Sequence, residues 1–296
     1  MRGDIVKIAI IGAGGIGGYI GGRLAESGQE VTLVARGRHL AAIRTNGLYI
    51  ESPHGNAHIA DIPATDRLVE IGPVDVIVAA VKMPDLAAAV RGLSALTHAD
   101  TCVITTQNGI DAKAVIAQHI NPDKIAQGIV YLAAYIKEPG RIMTPGGKHM
   151  MLVDALKGDP MMQRFFDAVD DSVALDALPV PDGDKNVWSK FTAQASIASV
   201  TSLTRLPLGG VFASPEATHL TRQLIAEAIA VAQAKGVALE ANHLETTMEL
   251  YGQQPGAQSS SLLVDIEAGK PTELAWLSGR VHALGVELGV PTPAHT

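Results

Sequence analysis

Apolar residues in the first part of this chain come in short unbroken runs. Lys7–Ile11, Glu30–Ala35, Val76–Val81 and Thr101–Thr106 are rich in Val, Ile and Leu, with few polar interruptions. Such runs suit strands covered on both faces. Between them, Gly15–Ser27, Pro84–Leu96 and Ile110–His119 read as helices. Strand–helix alternation of this kind predicts a parallel, doubly wound α/β sheet. Lys124–Lys137 and Gly140–Val153 then predict two strands joined by the turn Glu138-Pro-Gly140, an antiparallel extension of that sheet. Leu178-Pro-Val-Pro-Asp-Gly183 reads as a hinge, and nearly everything after it reads as helix.

The helical part is punctuated clearly. Ser214-Pro215-Glu216 offers a capping serine, a proline in the first turn and an acid at the positive end of a helix, which Lys235-Gly236 closes. Ser260–Glu267 and Thr272–Leu288 predict two further helices. The expected organisation is an α/β domain over residues 1–181 and an all-helical domain over 182–296.

Composition narrows the function. The chain has 296 residues, 47% of them hydrophobic and 18% charged, enough for two packed cores. Its net charge of −7 and lack of a segregated basic patch argue against a nucleic-acid partner. No window has the run of about 20 apolar residues that a membrane span needs. The start, interrupted by Asp4 and Lys7, does not resemble a secretory signal, so the cytoplasm is the expected compartment. The single cysteine, Cys102, lies in an apolar run and is expected to be a core thiol. His54 and His58 sit in a Pro/Gly/Asn turn, so no metal site is expected there.

The strongest chemical signal is Gly12-Ala-Gly14-Gly15-Ile-Gly17, which follows the first strand directly and opens a helix. That context makes it the fingerprint of a Rossmann-type dinucleotide site. Gly12 suits the tight turn, Gly14 the approach of a pyrophosphate, and Gly17 close packing of helix on strand, while Gly15 begins the helix. An enzyme using NAD usually carries an acid at the end of the second strand to bond the ribose 2′-hydroxyl. Here the sequence reads Val34-Ala-Arg36-Gly-Arg38. A guanidinium can bind a 2′-phosphate with paired hydrogen bonds, so NADP is the expected cofactor, with Arg36 its main ligand and Arg38 a helper.

Two further strand ends carry polar residues, Val78-Ala-Ala-Val-Lys82 and Ile104-Thr-Thr-Gln-Asn108-Gly109. Ligands of open α/β sheets bind beyond such ends, so Lys82 and Asn108 are candidates for the nicotinamide side. The run Asn186-Val-Trp-Ser-Lys190-Phe-Thr-Ala-Gln194-Ala-Ser-Ile-Ala198 sets one lysine in apolar and small surroundings. From the residues alone, Lys190 either snorkels from a packed helix or is an amine held for chemistry. On a helix, Lys190, Gln194, Ile197 and Thr201 share one face.

Taken together, the glycine fingerprint, Ala80-Val-Lys82, Gln107-Asn-Gly109, Asn186-Val-Trp-Ser-Lys190, Ser260-Ser-Leu-Leu-Val-Asp265 and Lys270-Pro-Thr-Glu273 resemble the ketopantoate reductase (2-dehydropantoate 2-reductase) family over nearly the whole chain. The tail Gly289-Val-Pro-Thr-Pro293 also matches, and the resemblance implies another helix after it. It further implies an NADPH-dependent reduction of a 2-oxo acid to the 2-hydroxy acid, in pantothenate biosynthesis. Lys190 matches the family's catalytic lysine, Glu273 its active-site glutamate and Ser261 a serine that contacts substrate. Lys82 and Asn108 match residues at both cofactor and substrate. Gln194, Ala198 and Gln258 occupy positions where the family often has substrate-binding asparagines, and Ala275 replaces an aspartate. Reaction class is therefore more legible than substrate. A paralogue acting on another branched 2-oxo acid, and a non-catalytic NADP-binding sensor, remain open. A third reading, a 3-hydroxy-acid dehydrogenase that also pairs a Rossmann domain with a helical one, expects a second lysine-bearing helix motif that is not obvious in this sequence. The expected partner is a small 2-oxo acid, with a second copy of the chain left open.

Overall fold

The computed structural model describes residues 4–296. It divides into two compact units: residues 1–107 with 111–183, and residues 108–110 with 184–296.

The first unit is the doubly wound α/β domain. Its first half contains β1 (Lys7–Ile11), α1 (Gly15–Glu26), β2 (Glu30–Val34), α2 (Gly37–Asn46), β3 (Leu48–Glu51), β4 (Ala57–Ile59), β5 (Ala64–Thr65), β6 (Val76–Ala79) and α3 (Met83–Ala89). Then follow β7 (Cys102–Thr105), α4 (Ala112–Ile116), β8 (Ile125–Tyr131), β9 (Tyr135–Glu138), β10 (Arg141–Met143), β11 (Met150–Asp154), α5 (Pro160–Asp170) and β12 (Asp176–Val180). Eight strands form the main sheet in the order β12-β11-β8-β7-β6-β1-β2-β5. All neighbours are parallel except β8 and β11. The strand order reverses between β1 and β6, which is where such sheets open a crevice for a ligand.

The apolar runs behave as buried strands. Every residue of β6 and β7 is buried, and only Lys7 of β1 is partly exposed. Other expectations need correcting. The two long strands after Lys124 are each broken: β8 and β11 extend the main sheet, whereas β9 and β10 join β3 and β4 in a second, four-stranded sheet. The turn between β9 and β10 is the expected one, with Gly140 at φ +80°. The helix read over Pro84–Leu96 stops at Ala89, because the chain turns at Gly92 in the left-handed region and re-forms as a 3-10 turn over Leu93–Leu96. The hinge at Leu178–Gly183 instead contains the end of β12 and the first residue of the next helix.

The second sheet explains glycines that the fingerprint leaves over. One face of α1 lies on the main sheet, where a Cβ at Gly21 would meet Ile10 and Leu33. The other face lies on the second sheet, where a Cβ at Gly18 would meet Ile142 and one at Gly22 would meet Ile50. The bare helix surface lets two sheets close on it, and the close packing gains dispersion contacts on both sides.

The second unit is helical: α6 (Gly183–Thr204), α7 (Leu208–Ala213), α8 (Pro215–Ala234), α9 (His243–Gly252), α10 (Ser261–Glu267) and α11 (Ser278–Leu288). Ser214 caps α8 by accepting from the Ala217 N–H, and Gly236 follows its end at φ +83°. The helix expected from Thr272 begins only at Ser278, after a 3-10 turn over Leu274–Trp276. Phe191, Ala195, Ala198, Val231, Leu262 and Leu284 form one of the unit's cores. No helix among the described residues is long and apolar enough to cross a membrane.

Candidate active site

In the α/β unit, β1 delivers the chain into Gly12 at φ +100°, and the amides of Gly12 and Ala13 both donate to the Val34 carbonyl (3.1 and 2.8 Å). A Cβ at Gly12 would stand 2.6 Å from Val81 Cγ1, so both conformation and space require glycine. At Gly17 a Cβ would strike the Gly12 carbonyl, and at Gly15 the Ala134 carbonyl. Gly14 differs: it is the N-cap of α1, no side chain caps the helix, and the space in front of its α-carbon is open. Open space before uncapped helix amides is what a pyrophosphate needs.

That loop borders a cleft of about 560 Å³. Gly12, Ala13 and Gly14 form its floor, the end of β2 supplies Val34, Ala35 and Arg36, and Val81, Asp85 and Ala88 face them from the chain after β6. The residues present therefore fit a dinucleotide. Arg36 is exposed on the rim and its guanidinium makes no hydrogen bond among the described residues, while Arg38 is exposed but does not line the cleft. Lys82 is the exposed N-cap of α3, next to the lining residue Val81.

Sequence reasoning missed His39. The Gly140 N–H donates to its Nδ1 (3.0 Å), so the ring proton is on Nε2, which donates to the Ala13 carbonyl (2.8 Å). Burial lowers its pKa, favouring this neutral ring. His39 thereby ties the glycine loop to the β9–β10 turn. The available signal was its place in the first turn of the helix that follows Arg36. Gln107 was also under-read: its amide donates to the carbonyls of Ala79 and Val81 (2.9 and 3.0 Å), fixing the end of β6. His54 and His58 have other employment. The His54 ring meets His149 edge-on, and His58 stacks on Tyr49 and bonds the Asn46 carbonyl. Cys102 is buried, which with nearby Asp159 pushes its thiol up to about 12.

In the helical unit, α6 carries Lys190. Its ammonium donates to Asn108 Oδ1 (3.2 Å), and Asn108 belongs to this unit through the loop Asn108–Ile110. Gly109, at φ +91°, passes the Trp276 carbonyl so closely that a Cβ would sit 2.9 Å from it, which holds the loop against the Glu273 segment. Burial pushes the Lys190 pKa down to about 8, and the Glu273 carboxylate partly offsets that by raising it. Glu273 is itself buried. The unit thus brings Lys190, Glu273 and Asn108 together around an amine whose pKa is lowered, the kind of perturbed group that marks a candidate site.

The expected substrate contacts are placed less uniformly. Gln194 is half-buried one turn after Lys190. Ala198 is buried in the apolar core with Phe191, Ala195 and Leu262. Gln258 and Ser261 are exposed, Ser261 at the first position of α10. Ser260 caps that helix by accepting from Leu263 N–H and shares a hydrogen bond with Thr201 Oγ1 (2.7 Å).

Comparison with known proteins covers both parts of the chain. Residues 8–156 match the family model described as "Ketopantoate reductase PanE/ApbA", and residues 182–296 match its C-terminal counterpart. A 2-dehydropantoate 2-reductase from Mesorhizobium japonicum is 29% identical over 97% of this chain and 94% of its own. A PanE/ApbA family ketopantoate reductase from Ralstonia eutropha superposes with a TM-score of 0.88 at 26% identity, covering 98% of this chain and 94% of that one. A dimeric ketopantoate reductase from Staphylococcus aureus gives 0.79 at 26% identity, covering 98% and 95%. With both halves of its length matched, the chain belongs to the ketopantoate reductase family, oxidoreductases that reduce a 2-oxo acid with a nicotinamide cofactor.

Proposed function

We propose that the chain reduces ketopantoate, or a close branched 2-oxo acid, with NADPH, and that Lys190 is the general acid. The observation that carries this reading is the placement of Lys190 against Asn108 and near the buried Glu273, in surroundings that lower the pKa of the amine to about 8. That pKa keeps the amine mostly protonated near neutrality, yet leaves the proton easier to transfer than from an ordinary lysine. When bound, the reduced nicotinamide supplies a hydride to the 2-carbonyl carbon. As the carbon–oxygen π pair moves to oxygen, the Lys190 ammonium stabilises the growing charge and then gives up its proton to it. Solvent reprotonates the neutral amine. Burial strengthens the field of the ammonium at the oxygen, and Asn108, which accepts from Nζ, orients the donor. Glu273 keeps the amine protonated at a pH where burial alone would discharge it.

NADPH is favoured over NADH because Arg36 lines the cleft at the position where an acid would bond a 2′-hydroxyl. Gln194 and Ser261 are proposed to meet the substrate. Ala198 offers no hydrogen-bonding side chain, which favours a second reading in which hydroxyl-free branched acids compete with ketopantoate. The Staphylococcus aureus relative is dimeric, and a homodimer is the assembly proposed for this chain. The compartment proposed is the cytoplasm, where reduced nicotinamide is regenerated.

The test is a panel of 2-oxo acids with NADPH and with NADH, followed by loss of absorbance from the reduced nicotinamide. Ketopantoate and 2-oxoisovalerate should both be reduced, with NADPH the better donor. Absence of turnover with every branched 2-oxo acid would leave only a cofactor-binding protein.

A further inference from the structure

Two parallel strands bring a second guanidinium to the rim of the cofactor cleft. β2 and β5 pair through Leu33↔Ala64 and Val34↔Thr65, and the Ala35 N–H donates to the Thr65 carbonyl (3.0 Å). This register carries both chains past the sheet edge side by side. Arg36, two residues after Val34, therefore has its counterpart in Arg67, two residues after Thr65. Both line the same cleft.

Arg67 is held, although its side chain is 67% exposed. Its backbone N–H donates to Thr65 Oγ1 (3.0 Å), and that hydroxyl donates to Glu70 Oε2 (2.6 Å). The other carboxylate oxygen of Glu70 accepts from Arg67 Nη1 (2.9 Å). Thr65 is buried, so the clip is anchored in the sheet. Nε and Nη2 make no hydrogen bond among the described residues. A guanidinium has five donors in a planar fork, so Arg67 can keep Glu70 on one edge and offer the rest to a phosphate.

Arg36, Arg67 and Arg91 line the cleft with Asp66 and Asp85, and Glu70 offsets part of the Arg67 charge, so what Arg67 offers a phosphate is its free guanidinium donors rather than surplus charge.

We infer that Arg67 is a second ligand of the ribose 2′-phosphate, held in place by Thr65 and Glu70, and that it shares with Arg36 the discrimination of NADPH from NADH. The inference rests on the NADPH reading above. It extends that reading from the end of β2 to the neighbouring edge strand.

The experiment is equilibrium binding of NADPH, NADH and 2′,5′-ADP to the full chain and to Arg67→Ala and Arg67→Lys. Removing a charge-assisted contact predicts about tenfold weaker binding of NADPH and 2′,5′-ADP to Arg67→Ala, with NADH unchanged. Arg67→Lys should fall between, since a point charge cannot hold Glu70 and grip the phosphate as a fork does. Thermal melting should match the parent chain, because the side chain is exposed. If the parent prefers NADPH and Arg67→Ala keeps that preference, or loses both cofactors equally, Arg67 is no phosphate ligand. A parent chain without preference for NADPH would instead overturn the reading of Arg36, and this inference with it.

Discussion

Arg36 and Lys190 are the two cations proposed to meet ligand oxygens, yet the two units set them in different surroundings. Arg36 stands exposed on the rim of a cleft whose shape comes from strand ends and glycines. Water screens it, which suits the task proposed for it, recognition of a charge already present. Lys190 lies on a helix packed by Phe191, Ala195 and Ala198, and burial depresses its pKa to about 8. The task proposed for it is to meet a charge that exists only while the bond changes. The contrast teaches that exposure suits binding, where a fixed charge on an always-ionised guanidinium is enough. Burial suits proton transfer, where the pKa must come near working pH.

Most hydroxyls of α6 are met by the helix's own backbone, Ser202 being one that finds no partner among the described residues. Ser196, Ser199, Thr201 and Thr204 each donate to the carbonyl four residues earlier, at 2.6–2.8 Å. Their hydroxyls are satisfied within the helix.

The largest expected effect strikes the half-buried cation. Lys190→Ala should lower kcat by about a hundredfold or more, the least that positioned proton transfer contributes. NADPH affinity should hold. Steady-state kinetics on the best 2-oxo acid decides it, and a variant that keeps most of its kcat removes Lys190 from the chemistry.

The exposed cation should matter less and more selectively. Arg36→Ala is expected to raise the KM for NADPH by roughly ten- to a hundredfold and to leave that for NADH nearly unchanged. Equal losses with both cofactors would reduce Arg36 to a support of the fold.

A change remote from either cation sets the lower bound. Ser214→Ala removes the cap of α8 and should cost about 1 kcal/mol in a denaturant titration. Both kinetic constants should stay as they are. A change in kcat would mean that the helical unit transmits stability to its site.

Much of this was legible in residue patterns, and the misses have physical causes. β1, β6 and β7 are buried almost throughout, so their unbroken runs marked them, whereas β2 buries only Val31 and Leu33 fully and was marked by its place after the first helix. Gly12 at φ +100° and the open space before Gly14 follow from the fingerprint. Lys190 stood out as a charge in apolar surroundings, but its setting on α6 came from resemblance, since a snorkelling lysine reads the same. The second sheet was missed because β4 and β10 are three residues each, too short for alternation to register. His39 was missed because its partners, Ala13 and Gly140, lie 26 and 101 residues away and are backbone groups that no side-chain pattern reveals. Ala198 was read as one of a substrate-facing row, and its packing with Leu262 shows how a helix buried nearly all round hides which stripe faces a site.

The central claim is that Lys190 donates the proton and that Glu273 helps to keep it charged. The pH dependence of kcat/KM for 2-oxo acid reduction tests this most directly, since it reports the free enzyme's essential acid. The active form is the ammonium, so the rate should be level on the acid side and fall as pH rises through about 8. Because the Glu273 carboxylate raises that pKa, Glu273→Gln should move the falling limb to lower pH. A rate that stays level well above pH 8 in the parent chain, or a limb that Glu273→Gln leaves in place, would contradict the account.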